Sequence, residues 1–332
     1  MSVRHPGWEL CVAPMIGVTD RHCRYFHRLL APRARLYTEM ISTGALLHDD
    51  PARYLAFDES EHPVALQLGG SDRDDLVRCA RLGAQWGYDE INLNCGCPSD
   101  RVQRGAFGAI LMANAALVAD AMKAMQDAVD VPVTVKHRLG LDDNEDYGFV
   151  RDFVGCLFDA GVRLFVVHAR NAVLKGLSPH QNRQIPPLRY DVAARLAADF
   201  PDAGFVLNGG IAEPAVAQSL LERFDGVMLG RVAWHNPAVL ARLHAALWPD
   251  DSLPGAQDVV DAMLDYAGRE LARGTALRYV IKPMLGWASG RRGARAWRRT
   301  LSDAQLLARN DPALLRQAWD ALCSGSDGQS RI

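Results

Sequence analysis

No run of about eighteen apolar residues occurs in this 332-residue chain, which excludes a membrane-spanning helix. The opening residues MSVRHPGWEL lack the apolar stretch of a secretory leader, so the expected location is the cytoplasm. Cysteine is sparse: seven residues, at 11, 23, 79, 95, 97, 156 and 323, an odd number at scattered spacings. That set argues against a disulfide framework and for reduced thiols. An excess of charge of one sign is missing as well. Thirty-seven Lys and Arg against 39 Asp and Glu leave a formal net charge of −2, so any grip on a polyanion must come from where charges sit. With 49% hydrophobic and 23% charged residues the chain is an ordinary folded protein, long enough for one large domain or a large one beside a small one.

Two of the cysteines flank a single glycine in "INLNCGCPSD" (91–100). A metal clip, a redox pair, a disulfide and one working thiol beside a bystander all begin from such a pattern. A structural zinc site wants a second C-x-C or C-x-x-C, and none exists; no metal is expected. A bridge between residues two apart would be strained, in the wrong compartment. Small buried fillers are the plain reading of Cys11, Cys79, Cys95 and Cys156. Cys97, directly before Pro98 and Ser99, belongs on a loop and is the better candidate for a working thiol.

Short apolar or β-branched runs recur eight times: LCVAPM (10–15), RLYTEM (35–40), PVALQLG (63–69), DEINLN (89–94), PVTVKHR (132–138), LFVVHAR (164–170), GFVLNGG (204–210) and GVMLGR (226–231). Amphipathic stretches such as RDDLVRCARLGAQWG and NAALVADAMKAMQDAV lie between them at helical spacing. Strand–helix alternation predicts a parallel sheet, and eight units predict an α/β fold closed as a (β/α)8 TIM barrel. An open doubly wound sheet is the alternative, but no G-x-G-x-x-G follows the first run. A barrel of this kind keeps its chemistry where strands end. Those ends carry Pro14-Met15, Glu39, Gln67, Asn94, Lys136 with Arg138, His168 with Arg170, Asn208-Gly209-Gly210 and Gly230-Arg231. From about 245 the pattern turns helical after the linker-like WPDDSLPGAQD. The expected layout is a catalytic barrel over 1–245, a helical domain over 246–323 and a disordered tail over 324–332.

The seventh and eighth ends read NGGIAEPAVAQ and GRVAWHNP. Adjacent glycines let backbone N–H groups close on an anion, and these two loops are the usual phosphate site of the fold. Arg231 adds a charge-assisted contact. A phosphate there suits FMN lying across the barrel mouth, with Lys136 as a cation near the ring and Gln67 as donor and acceptor. Taken by itself, Lys136 reads as a strand-end charge reaching solvent.

Six motifs in order, VAPMIGVTDRHCRYF, INLNCGCPSDRVQRGAFGA, VTVKHRLG, VVHAR with GLSP and NRQIPPL, LNGGI and DGVMLGRVAWHNP, resemble the tRNA-dihydrouridine synthases over about 10–300. The chain is most similar to the branch assigned to uridines 20 and 20a of the D-loop. The resemblance implies an FMN-bearing barrel reduced by NADPH, followed by a helical tRNA-binding domain. It implies FMN contacts at Pro14, Met15, Gln67, Lys136, His168, Asn208, Gly209, Gly210, Gly230 and Arg231. It makes Cys97, the cysteine before the proline, the catalytic acid, and Cys95 stands where the family does not require cysteine. In "PMIGVTD" the family varies at Ile16-Gly17. A thiol is mostly protonated at neutral pH yet acidic enough to give its proton up, which suits delivery to uracil C5 opposite a hydride at C6. The tRNA is expected to touch Asn94, Arg138, Asn182, Arg183, Arg295 and Arg298, bound by a monomer.

Between 269 and 299 lie Arg269, Arg273, Arg278, Lys282, Arg291, Arg292, Arg295, Arg298 and Arg299, with Glu270 the only acid. Such a run reads as a phosphate grip, or as a solvated helix face. Trp287 and Trp297 interleave with it and are expected to stack on bases. A reductase of free pyrimidines would share barrel, flavin and thiol but has no need of this basic run. A non-catalytic RNA binder on a retired barrel would have lost Cys97, Lys136 or the N-G-G loop, and all are present.

Overall fold

The computed structural model describes residues 5–99, 102–103 and 105–324. Eight strands, β1 (Leu10–Val12), β2 (Arg35–Ser42), β3 (Val64–Gly69), β4 (Glu90–Cys95), β5 (Val133–His137), β6 (Leu164–His168), β7 (Gly204–Asn208) and β8 (Gly226–Leu229), pair in parallel in chain order. β1 pairs with both β2 and β8, so the sheet is a closed barrel and the open doubly wound alternative is excluded. Strands buried on both faces need no polar alternation, which is why they read as continuous apolar runs. Several runs outlast their strands by a few residues: β1 ends at Val12, although Ala13 N–H still donates to Leu229 O at 2.7 Å.

β4 is the exception to the apolar rule, and its two faces differ. Ile91, Leu93 and Cys95 pack outward in one core with Leu76 and Ala80 of the helix Arg73–Gln85 and Val118 and Met122 of Ala115–Gln126. Glu90, Asn92 and Asn94, two apart in register, face the barrel interior. That interior is divided. Cys11, Ala13, Tyr37, Ala65, Leu164, Val166, Val206 and Met228 form an apolar plug. β3, β4 and β5 contribute the buried polar groups Gln67, Glu90, Asn92, Asn94, Thr134 and Lys136.

Two compact units emerge, and their boundary is not a single cut at 245. Among the described residues the second unit takes in 17–33, 212–214 and 231–324, so the helices Arg21–Leu30 and Ala238–Leu247 belong with the C-terminal helices. The reason is aromatic packing within that unit: Tyr25 stacks on Tyr266 with centroids 3.9 Å apart, and Phe26 meets Trp287 edge-on at 5.8 Å. The tail assigned to 324–332 lies outside the described residues except for Ser324, which ends the helix Ala313–Ser324.

The tryptophans require a correction. Trp287 and Trp297 do not present their rings to bases; they are buried, with 3% and 1% exposure. Trp287 stacks on Trp319 at 5.5 Å, Trp297 lies edge-on to both, and its Nε1–H donates to Met284 O at 2.9 Å. A small helical unit fills its centre with large flat rings whose single polar atom finds a carbonyl. Replacing Trp297 by Ala is therefore expected to cost about 3–5 kcal/mol of stability, read by urea denaturation. A base-stacking side chain on the surface would leave the midpoint unmoved.

Candidate active site

The thiol loop begins where β4 stops. Asn94 Oδ1 accepts the backbone N–H groups of Gly96 (3.1 Å) and Cys97 (2.9 Å), turning the chain out of the strand. On its other side Cys97 O accepts Ala109 N–H at 2.9 Å. Gly108, at φ 78°, makes that approach possible, because a Cβ there would lie 2.5 Å from Cys97 O. Cys97 is thus clamped through its backbone and is half-buried, with its sulfur 3.7 Å from Ser99 Oγ. Cys95 faces the outer core, and burial pushes its thiol far up. The two cysteines of C-G-C point to different places, one into packing and one to the barrel mouth.

Cations crowd the same rim. Lys136 is buried, with its ammonium on Asn208 Oδ1 at 3.1 Å, and so is no strand-end charge reaching solvent. Burial first, then Arg138, pull Lys136 down to about 7. His168 is held well below its ordinary range by burial, and after that by Arg138, Lys136, Arg170 and Arg183, every one a cation. Lys136 and Arg138 both lie within electrostatic reach of Cys97. Buried positive charge without a carboxylate among these named influences is costly unless an anion completes it.

The N-G-G turn supplies the matching backbone. Gly209 (φ 121°) and Gly210 (φ 71°) occupy conformations other residues avoid, and added Cβ atoms would strike Leu188 at 2.9 and 2.6 Å. Tyr190 hydroxyl donates to Gly209 O, and Asn208 Nδ2 donates to Met228 O at 2.7 Å. At Gly230 a Cβ would meet nothing within 4 Å, so the protein's own packing does not demand glycine there. Arg231 follows directly and opens the short helix Arg231–His235. Pro14 and Met15 sit half-buried just past β1. An anionic cofactor of flavin type fits this set: a glycine cradle, a buried lysine and a second cationic cluster.

Two expected RNA contacts have other work. Arg138 is buried and donates to Gly96 O, Asn171 O and Asn182 O, each at 3.1 Å, tying the thiol loop to the loop after β6. Asn182 is wholly buried: Oδ1 accepts Val173 N–H at 2.7 Å and Nδ2 donates to Val173 O at 2.8 Å. Both shape loops from inside, where a guanidinium or an amide supplies the donors that buried carbonyls need in place of water. Arg183, its neighbour, is exposed. Asn94 is buried too, with Oδ1 filled by two N–H groups and one Nδ2 hydrogen on Gln67 Oε1 at 2.8 Å, leaving one N–H uncommitted.

Residues that motif reading missed lie beneath the mouth. Gln67 Nε2 donates to Asn92 Oδ1 at 2.8 Å, Asn92 Nδ2 to Thr134 Oγ1 at 2.7 Å, and Thr134 hydroxyl to Glu90 Oε1. Glu90 also accepts Tyr37 hydroxyl and Trp8 Nε1–H, both at 2.8 Å, and pairs with Arg35 at 3.4 Å. The signal was present as E-x-N-x-N in a strand otherwise apolar.

In the helical unit, Arg295 and Arg298 lie on the helix Ala294–Leu301 and are exposed, as are Arg269, Arg273, Arg278, Lys282, Arg292 and Arg299. Glu270, the only acid in that run, is turned inward at 1% exposure, where it binds Arg21 (2.5 Å), Arg273 (2.9 Å) and Thr275 (3.0 Å). The exposed charges of the run are therefore all cationic. Among the described residues, no cluster of three His, Cys, Asp or Glu side chains is placed to hold a metal, and no helix is long and apolar enough to cross a membrane.

Comparison with known proteins bears on this geometry. A family model described as dihydrouridine synthase matches residues 11–322. A tRNA-dihydrouridine(20/20a) synthase of Pseudomonas putida is 54% identical over 298 residues, 90% of this chain and 89% of that protein. The one of Salmonella typhimurium is 50% identical over 315 residues, 94% and 95% of the two chains. The one of Xanthomonas campestris is 53% identical over 295 residues, 89% and 88%. Among solved structures, morphinone reductase in complex with tetrahydroNAD superposes with a TM-score of 0.51 at 14% identity, covering 74% of this chain and 88% of that one, a likeness of fold alone. A family match spanning the barrel and the helices, with relatives at half identity over nearly the whole length, places the chain in the dihydrouridine synthase family.

Proposed function

We propose that this enzyme reduces the C5–C6 double bond of uridine in tRNA, at positions 20 and 20a of the D-loop, with FMN as its resident cofactor and NADPH as the reductant. The observation that carries the reading is a backbone-clamped, half-buried Cys97 within electrostatic reach of buried Lys136 and Arg138, at the rim that holds the N-G-G cradle. The substrate class follows the names of the relatives and the cationic surface of the helical unit. A reductase of free pyrimidines would leave that surface without a partner.

Lys136, Asn208, Gly209, Gly210 and Gly230 would hold the cofactor, with His168 and Gln67 beside them and Pro14, Met15 and Arg231 on the adjoining segments. When bound, the reduced flavin supplies a hydride for C6 of the uracil. Cys97 holds the matching proton at Sγ and delivers it to C5 from the opposite face. The clamp on its backbone N–H and C=O fixes where that proton is presented. Once the proton has left, the sulfur carries negative charge, and Lys136 and Arg138 are the cations that reach it. His168 is kept neutral, so it can donate and accept hydrogen bonds without adding charge. Arg138 and Asn182 hold the loop shapes, while Arg183, Arg295 and Arg298 are the exposed groups proposed to touch RNA. A base must be drawn out of the folded tRNA to reach such a thiol.

The direct test incubates the flavin-loaded protein and NADPH with tRNA lacking dihydrouridine, then maps the product by mass spectrometry. Dihydrouridine at 20 and 20a, with none formed from free uridine, is the expected result. Turnover of free uridine at a comparable rate would overturn the tRNA assignment.

Replacing Cys97 by Ala should lower tRNA reduction by about 10²-fold or more while flavin content and NADPH oxidation persist; Cys95→Ala should retain most activity. Reduction assays on both variants decide which thiol is the acid.

Lys136 gives a pH dependence with a definite sign. Near pH 6 its ammonium is charged before any ligand arrives; above about 7 it is neutral in the empty site. An anionic ligand restores the charged form, so binding then takes up a proton. FMN affinity should fall as pH rises above 7, by up to about tenfold per unit, and Lys136→Met should flatten the profile. Fluorescence titration of the apoprotein from pH 6 to 9 measures it.

Replacing Arg295 and Arg298 together by Ala should raise KM for tRNA and reduce the salt slope of binding by about one to two contacts. Flavin content should not change. Parallel salt plots of equal affinity would show the pair to be only a solvated face.

A further inference from the structure

Five of the polar groups inside the barrel, Glu90, Thr134, Asn92, Gln67 and Asn94, form one directed chain, and its lower end lies at the start of β4, remote from the thiol loop at the mouth. Resting on the dihydrouridine reading, we propose that Glu90 is a positioning residue: through Thr134 and Asn92 it fixes the orientation of the Gln67 and Asn94 amides, and through them the backbone of Cys97.

The case is one of hydrogen-bond polarity. Trp8 Nε1–H and the Arg35 guanidinium can only donate, and both face Glu90 Oε2. Tyr37 is held as a hydroxyl by its burial and then by the Glu90 charge, so it donates to Oε1. The lower end is therefore an acceptor surrounded by donors. Thr134 uses its single hydrogen on Glu90 and takes Asn92 Nδ2–H on its oxygen. Asn92 Oδ1 is then turned to Gln67 Nε2, Gln67 Oε1 to Asn94 Nδ2, and Asn94 Oδ1 to the N–H groups of Gly96 and Cys97. The upper end is fixed independently, since backbone N–H groups cannot accept. Both ends demand the same direction. No amide in between can flip alone without setting N–H against N–H and oxygen against oxygen at its neighbours.

Below Asn94, which is 8% exposed, the chain is closed to water as well. Glu90, Asn92 and Gln67 have no exposed surface and Thr134 has 1%. A broken link is left unsatisfied inside the barrel, so the arrangement is held to one state. It leaves Gln67 with one N–H and one lone pair in defined places, and Cys97 at a defined height above the barrel plug.

Thr134→Val removes the middle link while keeping its shape, and Thr134→Ser keeps the hydroxyl. In the flavin-loaded protein, Thr134→Val should raise the rate of Cys97 alkylation by iodoacetamide severalfold, read by peptide mass spectrometry. It should lower kcat for tRNA reduction roughly tenfold at unchanged KM, as expected for a misplaced reacting group. Thr134→Ser should restore both. Wild-type alkylation and kcat in Thr134→Val, or failure of the Ser variant to restore them, would overturn the proposal. A measurement on wild type needs no variant to fold. With 15N in Asn and Gln side chains, one N–H each of Gln67, Asn92 and Asn94 should exchange with solvent at least about 10²-fold more slowly than an exposed amide. Exchange at the exposed rate would mean there is no such chain. A wild-type protein that reduces no tRNA would sink the dihydrouridine reading instead, while alkylation and exchange would still report on Glu90.

Discussion

Pairing of a three-residue strand, Leu10–Val12, with β8 on one side and β2 on the other is the constraint from which the site follows. Without that closure the sheet has two edges and its strand ends lie in a line. With it they form a ring, and groups from non-neighbouring strands meet across the interior. Lys136 of β5 reaches Asn208 of β7 at 3.1 Å. The same closure excludes water from the interior, which is why Lys136 is depressed toward neutrality and why the amides of β3 and β4 bond to one another.

Charge is handled differently in the two units. At the barrel rim, Lys136 and Arg138 are buried against an amide and carbonyls, and the cations acting on His168 have no acid among them. That is an arrangement completed by an anionic ligand. Over 269–299 of the helical unit all cations but the half-buried Arg291 are exposed, and Glu270 is drawn inward onto Arg21 and Arg273. A protein with a formal charge of −2 thereby presents a basic surface over 269–299. Exposed arginines confer salt-dependent affinity for phosphates; buried ones confer shape. Arg138 and Arg298 illustrate the two uses of one residue type.

Much of the fold was legible because its signals are local. A buried parallel strand must be apolar over most of its few residues, so all eight were visible as runs, and helical spacing located the intervening and C-terminal helices. Positive-φ glycines in N-G-G and a proline after Cys97 are equally local demands, and they marked the rim correctly as a place of unusual backbone. The unit boundary was not local. The helix Arg21–Leu30 follows β1 in sequence, yet its Tyr25 and Phe26 are aromatic partners of Tyr266 and Trp287, which lie far along the chain.

Residue types that serve equally well inside and outside were also beyond the sequence. Trp287 and Trp297 have the same rings whether they stack on a base or on Trp319. Arg138 and Asn182 carry the donors that a phosphate or a buried carbonyl would accept. By itself the sequence determined the eight-strand barrel, the helical remainder and the position of the thiol loop, because backbone geometry and apolar periodicity are written residue by residue. Which arginines face solvent, which tryptophans are buried and how Glu90 is joined to Cys97 were decided only by the tertiary structure, because burial and hydrogen-bond direction exist only once distant strands share one interior.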